Sequence, residues 1–171
     1  MSLSTAGLGV VDFSPEPVLV HQSAFKPPKK GHILERLFAI RCHMLGFLEE
    51  WKPDFVAVEE IVKFVKGSGS TASTIILLAT ANRTAGLAVL EKTGRCPFLL
   101  PVQTVRSRLK LDHMPKKEEM PDLVAHRLGI DFPWITYTGL DGTTKNRPEN
   151  YDMADAIAVA LAAKKDADES G

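Results

Sequence analysis

The order of short apolar runs and helix-periodic stretches is the feature that most constrains what this chain can fold into. Residues 7–13 and 17–25 are apolar, β-branched runs separated by a Ser-Pro-Glu turn, which predicts an antiparallel hairpin. Two more short apolar runs predict buried strands at 55–58 and 97–102. Helical spacing recurs over four longer stretches, 31–51, 71–90, 118–129 and 151–165. Strands alternating with helices in this order predict an α/β fold, a mixed β-sheet flanked by α-helices.

One domain accounts for the length. The chain has 171 residues, 44% of them hydrophobic, which suits a single core over residues 1–165 followed by a polar, frayed tail at 166–171. The helix at 71–90 is apolar on almost every side and is predicted to be largely buried. Residues 105–117 look basic and irregular, and 131–150 look like a long ordered loop.

Cysteine usage and the absence of targeting features favour an intracellular protein. Cys42 and Cys96 are far apart in apolar contexts, which predicts buried, free thiols in a reducing compartment. The N-terminus lacks a signal-peptide pattern, and no stretch is expected to reach the length of a membrane span. We therefore expect a cytoplasmic, nucleoid-associated location or another reducing compartment, with no membrane partner.

Charge is balanced over the whole chain but not locally. The formal net charge is zero, so any surface for nucleic acid must come from clustering. The densest positive segment carries five cations, Arg106, Arg108, Lys110, Lys116 and Lys117. This segment could bind phosphate groups or could be an ordinary solvated loop.

Three carboxylates form a candidate metal site. Asp152 and Asp155 lie three residues apart at the start of the last predicted helix, so they share one face. Glu59 directly follows a buried strand and should lie at the carboxyl edge of the sheet, where α/β folds bind ligands. Carboxylate oxygens are the ligands that Mg²⁺ prefers. The alternative for the two aspartates is capping of the helix or compensation of its dipole.

Three blocks carry a resemblance to a known family. Residues 54–60, 73–88 and 152–160 closely resemble, in order and spacing, the corresponding blocks of the RuvC Holliday-junction resolvases, which have an RNase H-like fold. The resemblance implies a crossover junction endodeoxyribonuclease, a structure-selective enzyme that uses Mg²⁺ or Mn²⁺ to cut four-way DNA junctions in recombination and repair. It implies that Glu59, Asp152 and Asp155 are metal ligands and catalytic residues.

The same resemblance suggests further roles. Lys117 falls where the family has a catalytic lysine near the scissile phosphate, and Arg106 falls near a second basic position. The loop residues Lys63, Phe64 and Lys66 would face DNA, although Phe64 could equally be a packing residue. Family members act as homodimers on branched DNA, and the helix at 71–90 could form the dimer interface or a core helix.

The beginning of the sequence departs from the family pattern. Family members open with a strand of the form ILGIDPG, whose Asp is the first metal ligand, whereas Met1 to Val11 resembles the stretch that follows it. Asp12 is the nearest acid but is expected to lie at the wrong end of its strand. Three explanations stay open: a downstream start, a shortened or altered chain, or a scaffold that does not cut. The last gives the alternative function, a catalytically impaired RNase H-like module that binds structured nucleic acid within a larger assembly.

Overall fold

The computed structural model describes residues 5–60 and 72–170, and its secondary structure follows the predicted α/β order. The elements are β1 (Ala6–Asp12), β2 (Val18–Phe25), α1 (Ile33–Trp51), β3 (Ala57–Glu60), α2 (Ala72–Thr93), β4 (Phe98–Pro101), α3 (Val102–Leu109), a 3-10 turn at Lys117–Glu119, α4 (Met120–Leu128), β5 (Thr136–Thr138), β6 (Thr144–Asn146) and α5 (Glu149–Ser170).

The strands pair two by two. β1 and β2 form the predicted antiparallel hairpin, β3 and β4 are parallel, and β5 and β6 form a second hairpin. Among the described residues these pairs are not hydrogen-bonded to one another, so the expected mixed sheet is not continuous. A cleft of about 1750 Å³ separates β1 from β3.

Helix α5 is the central element of the packing. It contacts the β1–β2 hairpin, both strands of the β3–β4 pair, and helices α3 and α4. Its small side chains allow close approach: Ala154, Ala158 and Ala163 are fully buried. β1 uses glycine for the same purpose, because a Cβ at Gly9 would lie 2.7 Å from Cγ1 of Ile157 and one at Gly7 would overlap the Asp152 main chain.

The core has two parts, one on each side of β3. The first surrounds α5, α3 and α4 and includes Phe55 and Ala57 from the β3 segment. The second lies between α1 and α2 and includes Val56. Because side chains alternate along a strand, Glu59 points toward α5 and Glu60 toward α2. An ion pair between Glu60 and Arg83 of α2, at 3.7 Å, agrees with this alternation.

Several sequence predictions about elements were wrong. Residues 102–109 form helix α3 rather than an irregular segment, since Val105 and Leu109 are buried one turn apart. The excursion at 131–150 contains the β5–β6 hairpin. Helix α5 continues to Ser170 through the predicted tail, where Asp166 binds Arg108. Glu59 and Glu60 lie within β3, not beyond its end.

Two predictions about burial also need correction. Cys42 and Cys96 are free, as expected, but both are exposed. Helix α2 buries only one face, and Ile76 and Leu87 on it are 65% and 58% exposed. By length and composition α2 could cross a membrane, so the expectation that no stretch reaches this length was wrong. A packed helix of a globular protein meets the same criterion, and α2 packs on α1.

Candidate metal and nucleic-acid site

Asp152, Asp155 and Lys117 meet at the first turns of α5. The Lys117 ammonium donates a hydrogen bond to Oδ1 of Asp152 at 2.9 Å and lies 3.7 Å from Oδ2 of Asp155. Lys117 lies in the 3-10 turn that precedes α4, and this turn contacts α5. The predicted lysine and helical aspartates therefore lie together, although 35 residues separate Lys117 from Asp152 in sequence.

Glu59 and Arg106 complete the cluster at longer range. Both line the same cleft as Lys117 and the aspartates. The charge of Glu59 acts on Lys117 and Asp155, and the charge of Arg106 acts on Asp155. Nε of Arg106 is buried and has no hydrogen-bond partner among the described residues. The three predicted acids therefore line one cleft together with Lys117 and Arg106, among other charged residues.

Burial opposes the charged forms of two residues in the cluster, the acid Asp155 and the base Lys117. Burial raises the pKa of Asp155 to about 6, with Lys117 opposing the shift and Glu59 adding to it. Burial also disfavours the Lys117 ammonium, but its hydrogen bond to Asp152 and the charges of Asp152, Asp155 and Glu59 outweigh burial and raise the pKa of Lys117. The cluster is therefore short of positive charge, and Lys117 supplies part of it.

The donor set suits a hard divalent cation, but a three-ligand cage is not preformed. Within residues 5–60 and 72–170, no three His, Cys, Asp or Glu side chains lie close enough to hold a metal ion. Lys117 stands between the aspartates where a cation would be favoured, and Glu59 remains at electrostatic range. Carboxylate oxygens that line a cleft short of positive charge are suitable ligands for Mg²⁺ or Mn²⁺.

Asp12 lines the same cleft but lies at the opposite end of β1 from Asp152. β1 runs past α5 from Gly7, beside Asp152, to Gly9, beside Ile157, so Asp12 lies farther from the acids. Its Oδ1 accepts a hydrogen bond from the backbone N–H of Ser14 at 3.0 Å. The expectation that Asp12 lies at the wrong end of its strand is confirmed.

The other predicted nucleic-acid contacts separate into three groups. Lys110 and Lys116 are exposed on the segment that leads to Lys117. Arg108 instead packs between helices: its guanidinium makes two hydrogen bonds to Asp166 and one to the Ala162 carbonyl, which leaves it little freedom to bind phosphate. Lys63, Phe64 and Lys66 lie outside the described residues.

One polar residue at the site was missed from the sequence. Asn82 of α2 is 7% exposed, and its Nδ2 donates a hydrogen bond to the backbone carbonyl of Glu59 at 2.5 Å. The only sequence feature that could have indicated it is an asparagine inside an otherwise Ala-rich and Leu-rich helix, where asparagine is a poor helix former.

Comparisons with known proteins now give this cluster a context. No family model matches the chain. Two curated proteins, each named crossover junction endodeoxyribonuclease RuvC and each from a strain of Dehalococcoides mccartyi, are 29% identical over 161 residues, which is 91% of this chain and 82% or 81% of theirs. The chain is thus similar to RuvC over most of its length.

Solved structures of RuvC are similar to this chain in fold. Thermus thermophilus RuvC matches with a TM-score of 0.70 at 24% identity, over 99% of this chain and 92% of that one. A second T. thermophilus RuvC structure, in complex with a Holliday junction substrate, gives the same TM-score over 98% and 90% of the chains. The predicted RNase H-like α/β fold is therefore confirmed.

Proposed function

We propose that this RuvC-like chain is a divalent-metal-dependent endonuclease that resolves four-way DNA junctions in recombination and repair. The observation that carries the proposal is the meeting of Lys117 with Asp152 and Asp155 in one cleft with Glu59, in a chain related to RuvC over 91% of its length. Phosphodiester hydrolysis needs carboxylates from separate elements at one place, and this cleft provides them.

In this proposal Glu59, Asp152 and Asp155 hold Mg²⁺ or Mn²⁺. The ion would polarise the scissile phosphate and lower the pKa of an attacking water. Lys117 presents its ammonium at the same place and would stabilise negative charge that develops on the phosphate oxygens. Arg106 lies in the same cleft and adds a second cation on the side of α3. Lys110 and Lys116 would bind backbone phosphates beside the site.

We also propose that the protein acts as a homodimer, because a four-way junction offers two strands to cut at related positions. Ile76 and Leu87 of α2 are eleven residues apart, so they lie on the same face of the helix, and Phe38 of α1 is likewise exposed. These apolar residues supply surface for a second copy. Light scattering in solution should give about twice 18.7 kDa, and a monomer mass at micromolar concentration would contradict the dimer.

Cleavage of a synthetic four-way junction tests the function. One strand of the junction is end-labelled, and a linear duplex of the same sequence serves as the matched substrate. We expect cuts near the branch point in Mg²⁺ or Mn²⁺, no cuts in EDTA, and at least tenfold slower cutting of the duplex. Tight junction binding without cleavage in either ion would instead support a non-catalytic module that binds branched nucleic acid, and equal cutting of the duplex would remove the structure selectivity.

A further inference from the structure

Asn82 is a buried polar residue in a part of α2 that otherwise packs through small apolar side chains. Its neighbours on the buried face, Ala81 and Ala85, are fully buried, and Asn82 itself is 7% exposed. Asparagine lowers helix propensity, and burying its amide costs free energy unless the amide is hydrogen-bonded. Its Oδ1 has no partner among the described residues, so only the donor side of the amide is used.

The Asn82 amide donates its hydrogen bond at the edge of β3 that faces away from β4. The Val56 carbonyl accepts a hydrogen bond from the N–H of Phe98, so it points toward β4. Backbone carbonyls alternate in direction along a strand, and the Glu59 carbonyl, three residues later, therefore points to the opposite edge. In the described parts of the chain no strand pairs with this edge, and the Asn82 Nδ2 is the group that binds the Glu59 carbonyl.

The contact falls at the residue whose carboxylate joins the site. Asn82 lies on α2, which packs on one face of β3, and it binds the Glu59 carbonyl at the strand edge. The Glu59 side chain projects from the other face of β3 toward α5. Fixing the carbonyl restricts rotation of the peptide that follows Glu59 and keeps the last two residues of β3 in strand geometry. The position of the Glu59 carboxylate relative to Asp155 and Lys117 depends on that geometry.

We propose that Asn82 is a positioning residue for Glu59. It acts through the main chain, does not touch the substrate, and raises metal affinity by holding Glu59 in place before the ion binds. This inference rests on the proposed role of Glu59 as a metal ligand, but it does not require that the protein cut DNA. Partners that orient metal ligands typically change metal affinity by about 10-fold to 100-fold when they are removed.

The test is a double-mutant cycle on metal affinity. Mn²⁺ binding to the DNA-free protein is measured by electron paramagnetic resonance for wild type, Asn82→Ala, Glu59→Gln and the double variant. We expect Asn82→Ala to weaken Mn²⁺ binding about 10-fold in the wild-type background and less than 2-fold in the Glu59→Gln background, because the two residues act together.

Thr84→Val is the matched control on the same helix. The Thr84 hydroxyl is partly buried and donates only to the Thr80 carbonyl within α2. Its removal should change Mn²⁺ affinity less than 2-fold even where thermal stability falls. If Asn82→Ala does not fold, Asn82→Ser replaces it; the serine hydroxyl is too short to reach β3, so the same loss of affinity is expected.

Three outcomes would overturn the inference: unchanged Mn²⁺ affinity in the folded Asn82 variant, an equal loss in both backgrounds, or no effect of Glu59→Gln on Mn²⁺ binding. A wild-type protein that binds Mn²⁺ through Glu59 with the expected coupling to Asn82, yet fails to cut the junction, would contradict the proposed function and support the positioning role. The two claims can therefore fail separately.

Discussion

At the scale of single residues, Asp155 is an acid whose ionisation the fold opposes. Its pKa is raised by burial from 3.8 to about 6, so between these values the native state binds more protons than the unfolded chain. The stability that this proton provides is complete below pH 4 and is lost as the pH rises through 6. Ionised Asp155 therefore destabilises the metal-free protein at neutral pH.

The first prediction follows from the upward shift of the Asp155 pKa. In EDTA, Asp155→Asn should be more stable than wild type at pH 7, by on the order of 2 kcal/mol, and the difference should shrink toward pH 4. Urea unfolding of both proteins from pH 4 to pH 8 measures it. The raised pKa of Asp155 would be contradicted if the difference in free energy of unfolding did not change with pH. It would also be contradicted if the wild type became more stable relative to the variant as the pH rises.

Glu59, Asp152 and Asp155 were predictable as candidates because strand ends and helix faces can be inferred from periodicity. Their relation to Lys117 was predicted only through resemblance, since nothing in the spacing of 35 residues specifies a contact at 2.9 Å. Asn82 was not predictable, because a hydrogen bond to a main-chain carbonyl leaves no pattern in the sequence. The contact of Arg108 with Asp166 was not predictable for a similar reason: Asp166 lies on a helix turn that was expected to be frayed.

At the scale of elements, β1 approaches the start of α5 closely at Gly7. A Cβ at Gly7 would meet backbone atoms of Asp152, which cannot turn away as a flexible side chain could. Gly46 in α1 is the opposite case, since a Cβ there would meet nothing within 4 Å. The sequence shows both glycines equally, and only the packing distinguishes them.

We expect Gly7→Ala to lower the free energy of unfolding by about 1–3 kcal/mol through overpacking and to weaken Mn²⁺ binding by displacing Asp152. Gly46→Ala should raise stability by about 0.5–1 kcal/mol, because alanine is the better helix former. Thermal unfolding and Mn²⁺ titration of the two variants check this contrast. Equal effects of the two substitutions on stability would refute the close contact at Gly7.

The β5–β6 hairpin is fixed to α5 by one buried side chain. Asn150 is fully buried; its Oδ1 accepts from the Ile135 N–H, and its Nδ2 donates to the carbonyls of Ile135 and Arg147, each at 2.8 Å. Composition alone predicted a long ordered loop here. It could not indicate a hairpin, because each strand has only three residues, all exposed.

Asn150→Ala should therefore cost roughly 2–3 kcal/mol and speed hydrogen exchange at the Ile135 amide, whose acceptor is lost. Asn146→Ala is the control: Asn146 is exposed at the end of β6, and its replacement should change stability by no more than about 0.5 kcal/mol. Exchange at Ile135 that is unaffected by Asn150→Ala would show that the anchor is not needed.

At the scale of the whole molecule, helices and the first hairpin were predictable because local periodicity determines them. The strands of residues 5–60 and 72–170 do not form one continuous sheet, and this was not predictable, because pairing between distant strands depends on packing around α5. The exposure of Ile76 and Leu87 was likewise not predictable, since a run of apolar residues does not show which face of the helix is covered. The net charge of zero also gave no indication of the site, because acidic and basic side chains line the same cleft.

The central claim is that three carboxylates from β3 and α5 form the metal site of a junction-cutting nuclease. Cleavage of the labelled four-way junction in Mn²⁺ by Glu59→Gln, Asp152→Asn and Asp155→Asn tests it most directly, with Asp122→Asn, an exposed acid of α4, as the control. Each of the three variants should lose at least about 100-fold in cleavage rate while junction binding stays within about 3-fold of wild type. Near wild-type cleavage by any of the three, with Asp122→Asn unchanged, would contradict the account.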